Sequence, residues 1–314
     1  MHPGPAFHAD VEANPARRGG MLGRTSRSCS VIPESGQSAP DGGTLYVVAT
    51  PIGNLGDITL RALELLRSVP LVAAEDTRLT RRLWARHGIE TPMTSYHTHS
   101  DLRRRDELLA HLRGGRDLAL VTDAGTPAVS DPGEELVAAW AARGGRVVPI
   151  PGPSAVLAAL VASGLPAARW SFEGFLPRRG RERRDRLASI CADDRATVLF
   201  EAPGRAAPTL AELAAACGPE RPAALGRELT KLHEEVWRGS LGDLASRAAE
   251  GPPRGEVTIV VAGADPAKPR ASATDLAAGR GEVERLVGQG MSRSSAAREV
   301  AQRTGLPRRD LFRP

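Results

Sequence analysis

Five short apolar runs, each followed by a stretch with helical spacing, fill residues 44–164 and restrict what this chain can fold into. The runs are "TLYVVAT" (44–50), "LVAAEDT" (71–77), "TSYH" (94–97), "DLALVTD" (117–123) and "RVVPIPG" (146–152). Between them lie helical stretches: one at 58–68, a basic one through Arg86, "DLRRRDELLAHLRGG", "GEELVAAWAARGG" and "SAVLAALVASG". Strands that are apolar throughout, alternating with helices, predict a mostly parallel sheet covered on both faces. The first α/β domain is therefore read as 44–164.

Beyond Gly164-Leu165-Pro166 the pattern loosens into "WSFEGFLP", "TVLFEAPGR", a helix "TLAELAAAC", "AALGREL", a long polar segment and "EVTIVVAG". This reads as a second α/β domain, 165–263, with longer strands and fewer regular crossovers. Residues 264–276 have the composition of a linker. The tail, 277–314, reads as two or three short helices with a turn at "GQGMS". Residues 1–43 are rich in Gly, Pro and Ser without periodicity and are expected to be a disordered extension.

In an open α/β sheet, ligands bind beyond the carboxyl ends of the strands. Four of those ends carry small-residue loops: "TPIGNLGD", "AEDTR", "TDAGTPAVSDPG" and "PIPGPSA". They hold no lysine, no GKS or GKT and no GxGxxG, which argues against nucleoside triphosphates and dinucleotides. They supply Asp57, Asp76, Asp123 and Asp131, balanced locally by Arg78 alone. Such a cup suits ribose hydroxyls, an amine and a positive centre, a combination found in S-adenosylmethionine.

Charge is distributed unevenly. The net charge is +5, yet residues 277–314 alone hold eight arginines against four acids. A second basic run, "RRGRERRDR" (178–186), has six arginines and two acids, and is read as a lip for phosphates. No run approaches the ~20 apolar residues of a membrane span. Three widely spaced cysteines, Cys29, Cys191 and Cys217, suggest neither a disulfide framework nor a metal pair, which points to a reducing cytosol. His97 and His99 have no third ligand at metal spacing, so no metal is expected.

"TPIGNLGDIT", "AAEDTR", "VTDAGTPAVSDPG", "PIPGPSA", "FEGFLP" and "GRELTK" occur in order, and together they resemble the tetrapyrrole-methylase-like S-adenosylmethionine-dependent methyltransferases. The resemblance is strongest to the branch that methylates small-subunit ribosomal RNA, because "IGNLGD" stands where corrin and porphyrin methylases carry a GxGPGD-type loop. It implies two α/β domains with S-adenosylmethionine in the cleft between them, a small C-terminal helical module, and a cytoplasmic homodimer. The implied reaction is 2′-O-methylation of a cytidine ribose in the decoding region of 16S rRNA, on the 30S subunit. The alternative is methylation of a tetrapyrrole or another small molecule. A non-enzymatic reading, a nucleic-acid-binding regulator built on the tail, also remains.

Carried over by motif, Asp123, Ala124, Gly125, Thr126, Ser154 and Ala155 are expected to hold the cofactor, with Pro51 and Gly53 shaping its floor. Asn54, Arg178, Arg179, Arg183, Arg184, Arg205, Arg308 and Arg309 are expected to meet the RNA. Glu201, Glu228 and Lys231 are the candidates for catalysis, with His97 a further possible base. One departure is present: the family pattern reads "FYEAPHR", whereas this chain has "LFEAPGR", with Gly204 in place of the histidine. Trp84, Trp140, Trp170 and Trp237 are read as core or interface residues.

Overall fold

The computed structural model describes residues 42–97, 102–265, 273–304, 306 and 308–312. The expectations for residues 1–41, and for His99, lie outside them. Strands β1 (Leu45–Val48), β2 (Val72–Ala74), β3 (Met93–Ser95), β4 (Leu118–Val121) and β5 (Val147–Ile150) form one sheet, parallel throughout, in the order β3-β2-β4-β1-β5. Side chains alternate along β4. Ala119 and Val121 join a core with α1 (Leu60–Ser68) and α2 (Thr77–His87), while Leu118 and Leu120 face α3 (Leu102–Arg113) and α4 (Glu134–Ala141). The helices after β1 and β2 thus cover one face, and the helix after β4 covers the other. That divergence opens a crevice on each side of the β4 loop.

The second sheet has the order β6-β7-β10-β8-β9, from β6 (Trp170–Phe175), β7 (Ala196–Glu201), β8 (Pro222–Arg227), β9 (Glu235–Ser240) and β10 (Val257–Val261). Only β6 and β7 are parallel; the other pairs are antiparallel. One face packs on α6 (Arg181–Ala192), α7 (Pro203–Cys217) and α8 (Leu241–Glu250). The other face packs on α5 (Ala155–Ser163): Val156, Ala159 and Leu160 share a core with Ala196, Val198, Leu229 and Val260. α5 follows the last strand of the first sheet yet is built into the second. The expected chain border at 164 coincides with its left-handed cap, Gly164, but the packing border falls before α5.

Several expectations need correction. The polar segment before β10 contains an edge strand and the amphipathic α8, which opens with a Ser240–Asp243 capping box. α7 begins at Pro203, six residues earlier than read, because a proline at the first helical position loses nothing there. Cys191 and Cys217 form a disulfide. α6 and α7 lie on the same face of the sheet and end together, with the two Cα atoms 4.7 Å apart, so distance in sequence was a poor guide. The last part of the expected linker is helical, since α9 starts at Ala273.

The tail folds as α9 (Ala273–Gly288), α10 (Arg293–Thr304) and α11 (Arg308–Phe312) around a core of their own, including Val283, Leu286, Ala297, Val300 and Leu311.

Candidate functional site

The loop after β1 and the loop after β4 are tied together. Thr50 donates its N–H to the Gly125 carbonyl at 2.8 Å and accepts the Gly125 N–H at 3.1 Å, while its buried hydroxyl bonds the Thr122 carbonyl at 3.0 Å. Gly125 sits at φ +81, in the left-handed region where side chains are rare. Asn54 caps a short 3₁₀ turn, accepting from the Gly56 N–H at 3.0 Å.

Gly53 is needed for a different reason. A Cβ there would collide with the aliphatic chain of Lys231, which comes from the second domain. The Lys231 ammonium bonds Glu228 at 2.8 Å and stands 3.3 Å from Glu256. Glu228 in turn accepts the Glu256 N–H at 2.9 Å and donates its own N–H to the Glu256 carbonyl. Glu228 and Thr230 hold positive φ, at +49 and +67. Such strain in residues other than glycine persists only where the surroundings over-determine it.

At the ends of β2 and β4 lies a group of carboxylates. Glu75 accepts from the Thr122 hydroxyl at 2.6 Å and the Asp123 N–H at 3.2 Å, and Asp123 accepts the Asp76 N–H at 3.0 Å. Arg78 hydrogen-bonds Asp76 and holds it down at about 2. Burial and the neighbouring Glu75 charge raise Asp123, and the same two causes push Asp131 up to about 6. Opposite charge here is scarce, so a cation entering this corner would be stabilised.

Between these loops and the second sheet is a cleft of about 600 Å³. Ala124, Gly125, Thr126, Ser154 and Ala155 line it, as the motifs implied. Asp131 does too, whereas Pro51, Gly53 and Asp123 are not among the residues that line it. The facing wall is apolar: Trp170, Phe172, Phe175 and Phe200. Phe200 packs on Phe172 and Phe175 at ring-centroid distances of 5.0 and 5.5 Å. Among the described residues no lysine, arginine or histidine lines the cleft, so none of them would neutralise a phosphate there. Sequence reasoning assigned no site role to these aromatics or to Glu75, although all of them stand in the quoted "WSFEGFLP", "LFEAPGR" and "AAEDTR" stretches.

The other expected site residues divide sharply. Glu201 is 2% exposed and accepts from the Ala202 N–H, Arg205 Nε at 2.6 Å and the Thr209 hydroxyl at 2.6 Å. Glu201 lines the cleft, and both of its oxygens already accept hydrogen bonds from the protein. Arg205 spends its guanidinium on Glu201 and the Leu176 carbonyl. Arg183, expected to meet RNA, is 7% exposed and bonds Glu212, Thr209 and the Pro177 carbonyl. It is a structural residue, because it lies on the side of α6 that faces α7. Arg178, Arg179 and Arg184 are exposed, and no hydrogen bond or ion pair engages their side chains among the described residues. Arg308 bonds Ser294 at 2.7 Å, pinning α11 to α10; the side chain of Arg309 lies outside the described part. His97 is exposed, two residues after the end of β3. A Cβ at Gly204 would meet nothing within 4 Å, so the missing histidine is not a steric matter.

Residues 44–245 match the family described as tetrapyrrole (corrin/porphyrin) methylases. A Synechocystis protein named ribosomal RNA small subunit methyltransferase I is 48% identical over 271 residues, covering 86% of this chain and 96% of the relative. Among solved structures, a cobalt precorrin-4 methyltransferase of cobalamin biosynthesis aligns with TM-score 0.54 at 19% identity, over 70% of this chain and 94% of its own. A Thermus thermophilus uroporphyrin-III C-methyltransferase in complex with S-adenosylhomocysteine aligns with TM-score 0.50 at 23% identity, over 70% and 97%. At those identities the two structures speak for the fold alone.

Proposed function

The chain belongs to the tetrapyrrole (corrin/porphyrin) methylase family, and from that premise we propose that it methylates small-subunit ribosomal RNA with S-adenosylmethionine as donor. The observation that carries this reading is the reach of the similarity to the Synechocystis relative, which takes in nearly the whole of that protein. The finer assignment is the 2′-oxygen of a cytidine in the decoding region of 16S rRNA, on the 30S subunit. It rests on the "IGNLGD" loop and on the exposed Arg178, Arg179 and Arg184.

The cleft fits the donor in its chemistry. Apolar rings suit an adenine, the small residues 124–126 allow close backbone approach, and Asp131 suits a cation. Ala124, Gly125, Thr126, Ser154 and Ala155 would hold the molecule. When bound, S-adenosylmethionine supplies a methyl group activated by a sulfonium. Methyl displacement needs no metal, so the chain's contribution is alignment and control of one proton.

Lys231 is held protonated. Burial lowers its proton affinity, but the hydrogen bond to Glu228 and the charges of Glu256 and Glu228 outweigh that and raise it. It is therefore a donor that steadies an oxygen, not a base. Glu228 is kept ionised by the Lys231 hydrogen bond and the Glu256 N–H. Asp131, with its elevated proton affinity inside the cleft, is the better acceptor for the hydroxyl proton.

The three-helix tail, with its own core, would act as a docking module for the ribosomal substrate; removing 273–314 should weaken binding to subunits and leave cofactor binding unchanged. A second copy of the chain is the partner suggested by α5. This helix is apolar all round, yet Val161, one turn beyond the cleft-lining Leu157, is 79% exposed. The cytoplasm is the compartment this reading requires, and no described helix is long and apolar enough to cross a membrane.

The test is to incubate the protein with S-adenosylmethionine and unmodified small subunits, then locate the methyl group by mass spectrometry after alkaline hydrolysis. A linkage resistant to alkali at one cytidine is the expected result. A methyl group on a base, or on a tetrapyrrole only, refutes the assignment.

A further inference from the structure

On the far side of the Glu228–Glu256 pairing from the cleft lies a second recess, of about 510 Å³, lined by Arg227, Glu228, His233, Pro252, Arg254 and Gly255 among others. Its charge is lopsided. Glu228 is the lining carboxylate, and Lys231 neutralises it at 2.8 Å. Arg227 stands 3.5 Å from Glu235, but Glu235 is held more closely by Arg247, at 2.6 Å. The Nε of Arg227 is buried without any hydrogen-bond partner. His233 and Arg254 are exposed, and no hydrogen bond or ion pair engages their side chains among the described residues. Three nitrogen-bearing side chains thus converge with donor capacity that the protein itself does not use. The Arg227 side chain is 23% exposed, and its accessible nitrogens, with those of His233 and Arg254, are donors for which an oxyanion is the best-matched partner.

The recess is coupled to the cleft. Glu256 lines the cleft, Glu228 lines the recess, and the two are joined through both backbones and the Glu228 carboxylate. A chain of nucleotides with one ribose at the cleft mouth would carry its neighbouring backbone across this pairing.

We propose that the recess is a subsite for an RNA backbone phosphodiester adjoining the nucleotide held in the cleft, with Arg227, His233 and Arg254 as its ligands. The inference rests on reading the chain as an RNA methyltransferase. Contacts of this kind position a nucleic acid without reading its sequence, so the subsite sets register and not base choice. The cleft, with no basic side chain among its described lining residues, would accept the ribose and leave the phosphate to the recess.

The test uses the full-length protein and a His233→Ala/Arg254→Ala variant, both changes being at exposed positions. Three quantities are measured: S-adenosylmethionine affinity by calorimetry, affinity for unmodified small subunits across a salt series, and KM for subunits in methyl transfer. The expected result is unchanged donor affinity, roughly tenfold weaker subunit binding with a matching rise in KM, and a shallower salt dependence. The lost Arg254 contact should remove about 0.7–0.9 from the slope of log affinity against log salt. Arg254→Lys, which keeps the charge, should recover most of the slope in an otherwise wild-type chain. Unchanged affinity and slope in the double variant, with the wild type methylating subunits, overturn the subsite and leave the RNA reading standing. A wild type that binds the donor but methylates no subunit overturns the RNA reading, and the subsite with it.

Discussion

Lys231 lies across Gly53, so that the second domain closes over the glycine turn after the first strand through a contact that any side chain at position 53 would break. The turn has the look of a phosphate cradle and serves instead as the seat of a lysine. Gly53→Val should therefore displace Lys231 from Glu228 and Glu256 without touching either hydrophobic core. Methyl transfer is expected to fall at least tenfold, since small misplacements at a site are costly, while the melting temperature moves by only a few degrees. Activity equal to wild type in a folded Gly53→Val protein would show that the contact has no bearing on the reaction.

Gly125 tests the other side of the cleft. With φ at +81 and both of its backbone groups bonded to Thr50, it holds a left-handed conformation that a β-branched residue rarely adopts, although a Cβ there would meet only Ile52, at 3.6 Å. Gly125→Val should weaken S-adenosylmethionine binding more than tenfold, and Asp123→Ala should weaken it through the loop that Asp123 anchors to Asp76. Titration calorimetry on the folded variants decides this, and undiminished affinity would count against the proposed cofactor site.

Asp131 should impose a pH dependence on both stability and rate. Its folded value, about 6, is above the ordinary carboxylate value, chiefly from burial and then from the charge of Glu75, with Asp123 adding to it and Thr122 opposing. A group raised on folding favours the folded state at low pH, and that advantage is lost as pH rises through 6. Asp131→Asn should therefore melt higher than wild type at pH 8, with the difference shrinking toward pH 5. If Asp131 takes the proton, the same variant should lose the limb of the kcat/KM profile near pH 6. An unaltered profile would assign the proton to another group.

The arginines of 178–186 should separate into two classes. Arg183→Ala strips partners from Glu212, Thr209 and the Pro177 carbonyl and should cost about 1–3 kcal/mol of stability. Replacing Arg178, Arg179 and Arg184 together by glutamate should leave the melting temperature nearly unchanged and weaken subunit binding in a salt-dependent way. Denaturant titration and filter binding distinguish the two. The opposite pattern would mean that the exposed three are the structural ones.

Val161, 79% exposed on a helix without a polar face, is the place to test self-association. Val161→Glu should convert a dimer into a monomer in sedimentation velocity. A wild-type protein that sediments as a monomer at all concentrations would dismiss this face as an interface.

What was legible in the chain followed from local chemistry. The first sheet could be read because β1, β2 and β4 are largely apolar on both faces and four of its five strands end in distinctive loops, three of them built from Gly, Pro and Asp or Ser. The cofactor loops were legible for the same reason. Arg183 and Glu201 were misjudged because a charged residue at 7% or 2% exposure looks, in sequence, like any exposed one. Their burial depends on Thr209 and Glu212, on a different helix. The Cys191–Cys217 bond and the Lys231–Gly53 contact likewise join distant segments, and no spacing rule anticipates them. β9 escaped notice because an edge strand such as "EVWRGS" is largely half-buried or exposed and carries little apolar signal.

The placement of α5 has a consequence for how the chain is made. Its buried residues, Val156, Ala159 and Leu160, are completed by Val198 and by Val260. A ribosome adding roughly 5–20 residues each second would deliver that last strand only some 5–20 seconds after α5 itself. For that interval the first sheet is whole, but its trailing helix is an apolar rod with no floor beneath it, on a nascent chain still tethered to the large subunit. Early termination in this window would release a half-molecule inclined to aggregate. The cleft is therefore assembled last, when β10 slides between β7 and β8 and gives α5 its seat.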